Sequence, residues 1–124
     1  MIDPKKRILL VDDDEEIVET VKLALQDHGY DVLVARDGSE GLMRAERDAP
    51  DLIILDMIMP KRSGFSVLDH IRKRHASSPR IIMLTGNEEQ RYRDFAASRG
   101  VDAFLAKPFE MPQLLEEVES LLQA

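Results

Sequence analysis

Five polar side chains stand where chemistry is expected. Asp12 and Asp13 follow the apolar run Ile8-Leu9-Leu10-Val11. Asp56 ends Leu52-Ile53-Ile54-Leu55, Thr85 follows Ile81-Ile82-Met83-Leu84, and Lys107 follows Ala103-Phe104-Leu105-Ala106. Carboxylates crowded together repel, and each raises the proton affinity of the others. Lys107 supplies one compensating charge, which leaves room for a divalent metal. Oxygen donors without His or Cys suit Mg2+, with Mn2+ as a substitute, rather than zinc. Mg2+ usually divides itself between one or two carboxylates and a phosphate. Phosphoryl transfer is therefore the natural inference, with a carboxylate able to act as nucleophile through an aspartyl phosphate.

The elements must bring these residues together. Leu52–Leu55 has no polar interruption, as in a strand buried on both faces of a parallel sheet, and Pro60 prevents a simple continuation. Strands are expected at Ile8–Val11, Val32–Ala35, Leu52–Leu55, Ile81–Leu84 and Ala103–Ala106. The first helix runs from about Glu15 to Asp27, with Ile17, Val21, Ala24 and Leu25 inward and Gly29 as its stop. The second runs from about Ser39 to Asp48, with Leu42, Ala45 and Ala49 inward. Lys61–Gly64 is a polar loop, after which the third helix carries Phe65, Leu68 and Ile71. The fourth, about Glu88 to Arg99, is the weakest amphipath and ends at Gly100. The fifth has Pro112 in its first turn and a stripe of Leu114, Leu115, Val118, Leu121 and Leu122. Alternating strands and helices imply a parallel sheet with right-handed crossovers and helices on both faces. All strand C-termini then share one edge, where ligands bind.

Composition limits the alternatives. The 124 residues are 44% hydrophobic and 33% charged, suited to one folded domain over 1–124 and too apolar for disorder. No cysteine means no disulfide or thiolate site. The polar N-terminus does not resemble a signal peptide, and no run approaches the ~18 apolar residues of a membrane span. A soluble, cytoplasmic protein without membrane contact is expected. The net charge of −7 argues against direct nucleic-acid binding. Arg72-Lys73-Arg74 falls at a helix end, where cations suit the macrodipole.

Each site residue also has an ordinary structural explanation. Asp13 and Asp14 could cap the first helix, Thr85 could cap the fourth, Lys107 could be a solvated loop lysine, and Phe104 could be plain core. Coincidence becomes a poorer account when Asp12, Asp56, Thr85 and Lys107 each directly follow a buried strand.

With Val11-Asp12-Asp13, Leu55-Asp56, Met59-Pro60, Gly64, Leu84-Thr85-Gly86 and Lys107-Pro108-Phe109 in this order, nearly the whole chain resembles the receiver domain of two-component response regulators. The resemblance implies a flavodoxin-like (βα)5 fold, a doubly wound parallel five-stranded sheet of order 2-1-3-4-5. Asp56 resembles the phosphoacceptor, taking a phosphoryl group from a histidine kinase or histidine phosphotransfer protein. Asp13, Asp56 and the backbone carbonyl of Ile58 would bind Mg2+, and Asp12 would act mostly through a metal-bound water. Lys107 would pair with Asp56 and then with a phosphoryl oxygen, Thr85 would hydrogen-bond another, and the backbone of Met57 and Gly86 would face the group. The Lys107-Pro108 bond should be cis. Thr85 moving inward and Phe104 filling its space would switch the face of the fourth helix, fifth strand and fifth helix. That face would serve a downstream protein or output domain and admits a weak dimer. The domain would catalyse only its own phosphorylation and dephosphorylation. Nothing follows the fifth helix, which fits a stand-alone receiver or a piece of a longer protein. Ile58 and Asn87 flank the water approach and imply slow dephosphorylation.

Two rivals remain. A haloacid dehalogenase-type phosphatase also uses an aspartyl nucleophile, but Asp12-x-Asp14 is followed by Glu15-Glu16 and no cap domain fits. A degenerate receiver acting only as a binding module would lack the full set of five polar residues.

Overall fold

The computed structural model describes residues 5–57, 59, 63–75, 78–86, 94 and 97–123. Five parallel strands, β1 (Arg7–Val11), β2 (Asp31–Ala35), β3 (Leu52–Asp56), β4 (Arg80–Thr85) and β5 (Ala103–Ala106), form one sheet of order β2-β1-β3-β4-β5. The helices are α1 (Glu15–Asp27), α2 (Gly38–Asp48), α3 (Gly64–Arg74) and α4 (Met111–Gln123). Of the helix expected over Glu88–Arg99, only Asp94 and 97–99 are described. Asp94 and Ala97 are helical, and Gly100 closes the segment at φ 95°.

Successive strand residues point to opposite faces, so each apolar run feeds two cores. Ile8, Leu10, Ile54 and Leu84 meet Val18, Val21 and Leu25 of α1 and Leu114 and Val118 of α4. Leu9, Val11, Ile53, Leu55 and Met83 meet Val67, Leu68 and Ile71 of α3, with Leu42 and Ala45 of α2 alongside. All five residues of β3 are buried because β1 and β4 cover its edges and helices cover both faces. Each large side chain so buried contributes about 1.5–3 kcal/mol.

The helix faces differ from expectation in detail. Val18 is buried, whereas Ile17 and Ala24 are only half-buried. Ala49 is exposed rather than inward, because the chain turns left-handed there (φ 46°) to end α2. Gly41 takes the close position instead, lying against Val11. Gly64 belongs to α3, with Ser63 as N-cap. Arg72 does more than meet the end of α3. Its side chain is 8% exposed, and it donates to Gly100 O at 2.9 Å and Asp102 Oδ2 at 3.2 Å.

Candidate functional site

β1, β3, β4 and β5 are neighbours, so their C-terminal ends bring Asp12, Asp56, Thr85 and Lys107 to one edge. Asp56 is the last residue of β3, in register with Leu84. Asp12 follows β1, and its N–H donates to Ala35 O at 3.1 Å. Lys107 follows β5, tied to β4 by its N–H to Thr85 O at 2.7 Å. The Lys107-Pro108 bond is cis, as the resemblance implies.

The Lys107 ammonium bridges two acids, 3.0 Å from Asp12 Oδ2 and 3.4 Å from Asp56 Oδ2. The expected partner was Asp56, but Lys107 is shared and sits nearer Asp12, whose side chain is fully buried. Burial pulls the Lys107 pKa down, but contact with Asp12 and the charge of Asp56 outweigh it, so the net shift is upward. Burial pushes Asp56 up to about 7, and the Asp12 charge adds to this while Lys107 opposes it. A buried carboxylate beside another acid holds its proton more tightly.

Carboxylate oxygens of Asp12, Asp13 and Asp56 lie within 4.8 Å of one another. Three carboxylates against one ammonium leave a deficit of two positive charges, the charge of one divalent cation. Hard oxygen donors at this spacing fit Mg2+. Asp12 Oδ1 already accepts the Asp14 N–H at 2.9 Å, whereas Asp13 is exposed. Ile58 lies outside the described residues, as does Asn87.

The structural alternatives sort out by residue. Asp14, not Asp13, caps α1, accepting from Glu16 N at 3.0 Å and Ile17 N at 3.4 Å. That duty removes Asp14 as the second catalytic acid a phosphatase of the rival type would need. Lys107 is no solvated loop lysine, with its side chain 24% exposed and two acids on it. Thr85 is 1% exposed, and its hydroxyl makes no hydrogen bond among the described residues. Leaving a buried hydroxyl unsatisfied costs about 1–3 kcal/mol. Phe104 is half-buried against the core on the α2–α3 face. Met57, directly after Asp56, is buried. Its N–H donates to Leu84 O at 3.0 Å, carrying the β3–β4 ladder one residue past Asp56. Gly86 is half-buried directly after Thr85.

Residues 8–119 match the response regulator receiver domain family. The alkaline phosphatase synthesis transcriptional regulatory protein PhoP of Bacillus subtilis (strain 168) is 38% identical over 118 residues, which are 95% of this chain and 49% of PhoP. The transcriptional regulatory protein CpxR of Escherichia coli (strain K12) is 36% identical over 117 residues, 94% of this chain and 49% of CpxR. The chain therefore spans about half the length of these curated relatives. A CheY-like receiver domain protein from Methanospirillum hungatei JF-1 superposes with a TM-score of 0.91 at 32% identity, over 97% of this chain and 95% of that one. The chemotaxis protein CheY4 of Vibrio cholerae gives 0.87 at 32% identity, over 95% and 99%.

Proposed function

The chain belongs to the response regulator receiver domain family, and from that membership we propose that residues 1–124 form a single phosphoacceptor domain with Asp56 as its nucleophile. A carboxylate oxygen of Asp56 attacks the phosphorus of a phosphohistidine on a histidine kinase or histidine phosphotransfer protein. The new O–P bond forms as the P–N bond breaks, and the imidazole nitrogen leaves with the bonding pair. Asp13 and Asp56, with the Ile58 carbonyl that the family resemblance implies, would hold Mg2+, and Asp12 would support it through water; Mn2+ would suit the same donors. The metal, when bound, neutralises charge on the phosphoryl oxygens. Lys107 keeps Asp56 ionised enough to attack and then pairs with a phosphoryl oxygen.

The observation that carries this reading is the buried Thr85 hydroxyl, unpartnered among the described residues, at the end of the strand beside Asp56. It is a donor in need of an acceptor, and a phosphoryl oxygen on Asp56 supplies one. The Gly86 backbone faces the same group. Phosphorylation adds roughly 1.5–2 negative charges, drawing the buried Thr85 hydroxyl onto the phosphoryl group and letting Phe104 follow. The face carrying β5, α4 and the segment before Gly100 then changes its packing and regulates a downstream protein or output domain. The same face supports a weak dimer. The domain turns over only its own phosphoryl group and makes no direct contact with nucleic acid. Among the described residues no helix is long and apolar enough to cross a membrane, and we place the protein in the cytoplasm.

Incubation with Mg2+ and a small acyl phosphate, followed by peptide mapping, tests the assignment. A single phosphate on Asp56, absent from Asp56→Asn, is expected. Phosphate at another residue, or undiminished labelling of the variant, would overturn it.

A further inference from the structure

A Cβ built on Gly64 would lie 2.3 Å from the carbonyl oxygen of Asp56, 2.9 Å from Met57 Cα and 3.1 Å from the Asp56 carbonyl carbon. All three atoms belong to the backbone that leaves Asp56. The contact is closed by the Gly64 N–H, which donates to Met57 O at 2.9 Å. We propose that Gly64 is a positioning residue for the phosphoacceptor: its missing side chain lets α3 close onto the Asp56-Met57 peptide, and this abutment sets where the Asp56 carboxylate stands. The inference rests on the reading of Asp56 as phosphoacceptor.

Neither side of the contact yields easily. α3 is anchored by buried Val67, Leu68 and Ile71. Its far end is held by Arg72 on Gly100 and Asp102, and by Asp69 at 2.6 Å from Arg99. β3 is paired with β4 along its length, and the peptide after Asp56, past the last paired residue, carries the Met57 N–H bond to Leu84 O. An added methyl group therefore displaces that peptide and the carboxylate with it. Close packing turns such an insertion into a backbone shift.

Gly41 provides a matched control. Its Cβ would meet Val11 Cγ1 at 2.8 Å and Cγ2 at 3.1 Å, side-chain atoms on the residue before Asp12. The clash there falls on a side chain, not on the backbone of a site residue. Both substitutions replace glycine by a better helix former, so propensity alone disfavours neither variant.

The experiment follows phosphorylation by a small acyl phosphate with Mg2+ in the unmodified protein, Gly64→Ala, Gly41→Ala and Asp56→Asn. Rates are divided by the folded fraction from urea titration, so a loss of stability alone does not register. Gly64→Ala should be slower by about 100-fold at saturating donor, with half-saturation little changed, while Gly41→Ala stays within about twofold, since displacements near 1 Å cost rates of that order. Equal rates per folded molecule in Gly64→Ala and the unmodified protein would overturn the proposal. If the unmodified protein takes no phosphate, or Asp56→Asn still takes it, the phosphoacceptor reading fails instead. A second measurement needs no variant. The Gly64 N–H bonds the carbonyl of the residue after Asp56, whereas the Gly41 N–H bonds Asp37 O, so phosphorylation should change the hydrogen-exchange rate of the Gly64 amide severalfold and leave the Gly41 amide unaltered. A Gly64 amide indifferent to phosphorylation would also overturn the proposal.

Discussion

Removing the charge of Asp56 should stabilise the metal-free fold, and by an amount that depends on pH. The carboxyl pKa rises from 3.8 to about 7, chiefly through burial and then through the Asp12 charge. At about 1.36 kcal/mol per unit, a shift of that size corresponds to roughly 4 kcal/mol. The Asp56 side chain keeps 11% of its exposure and shares Lys107 with Asp12, so screening reduces the realised effect to about 1–3 kcal/mol. Because the folded pKa lies above the unfolded one, the folded state binds this proton more tightly. The contribution is fully present below about pH 4 and is lost as pH rises through about 7. Asp56→Asn keeps the volume of the protonated acid and never ionises. It should match the unmodified protein near pH 4 and exceed it increasingly up to pH 8, with Lys107 still held by Asp12. The assay is urea unfolding in chelator, followed by far-ultraviolet circular dichroism since the chain has no Trp. Added Mg2+ should close the gap by stabilising the unmodified protein through binding to its folded state. A variant less stable at pH 8, or a difference independent of pH, would refute the electrostatic account.

Other perturbations have defined outcomes. Asp13→Ala should weaken Mg2+ binding more than Asp12→Ala, because Asp12 is already engaged by Lys107 and the Asp14 N–H; equal losses in a titration would contradict the ligand assignment. Asp102→Ala should cost about 2–4 kcal/mol in urea unfolding, since it strips the buried Arg72 guanidinium of its acid and the Ile81 N–H of its acceptor at 2.8 Å. If Ile58 flanks the water approach as the family resemblance implies, Ile58→Asn should hasten phosphate loss without changing Mg2+ affinity, because an amide can orient water where a branched apolar chain cannot; an unchanged decay rate would refute the expectation of slow dephosphorylation.

The alternation of elements and the place where each strand ends are legible in the residue pattern. A strand covered on both faces needs an unbroken apolar run, so Leu52–Leu55 and Ile81–Leu84 announce themselves, and the polar residue after each run marks the sheet edge. Glycine stops were legible for the same local reason: Gly29 and Gly100 both have positive φ. Tertiary structure alone decided which polar groups touch. Lys107 lies nearer Asp12 than Asp56, Asp14 rather than Asp13 caps α1, and the Met57 N–H turns to Leu84. Arg72, which local sequence assigns to a helix end, reaches across to Gly100 and Asp102. Periodicity specifies which face a residue occupies, because it reflects the repeat of a single element. Distances between the ends of different elements depend on how the sheet and helices pack, and the Asp56 pKa and the close approach of Gly64 arise only there.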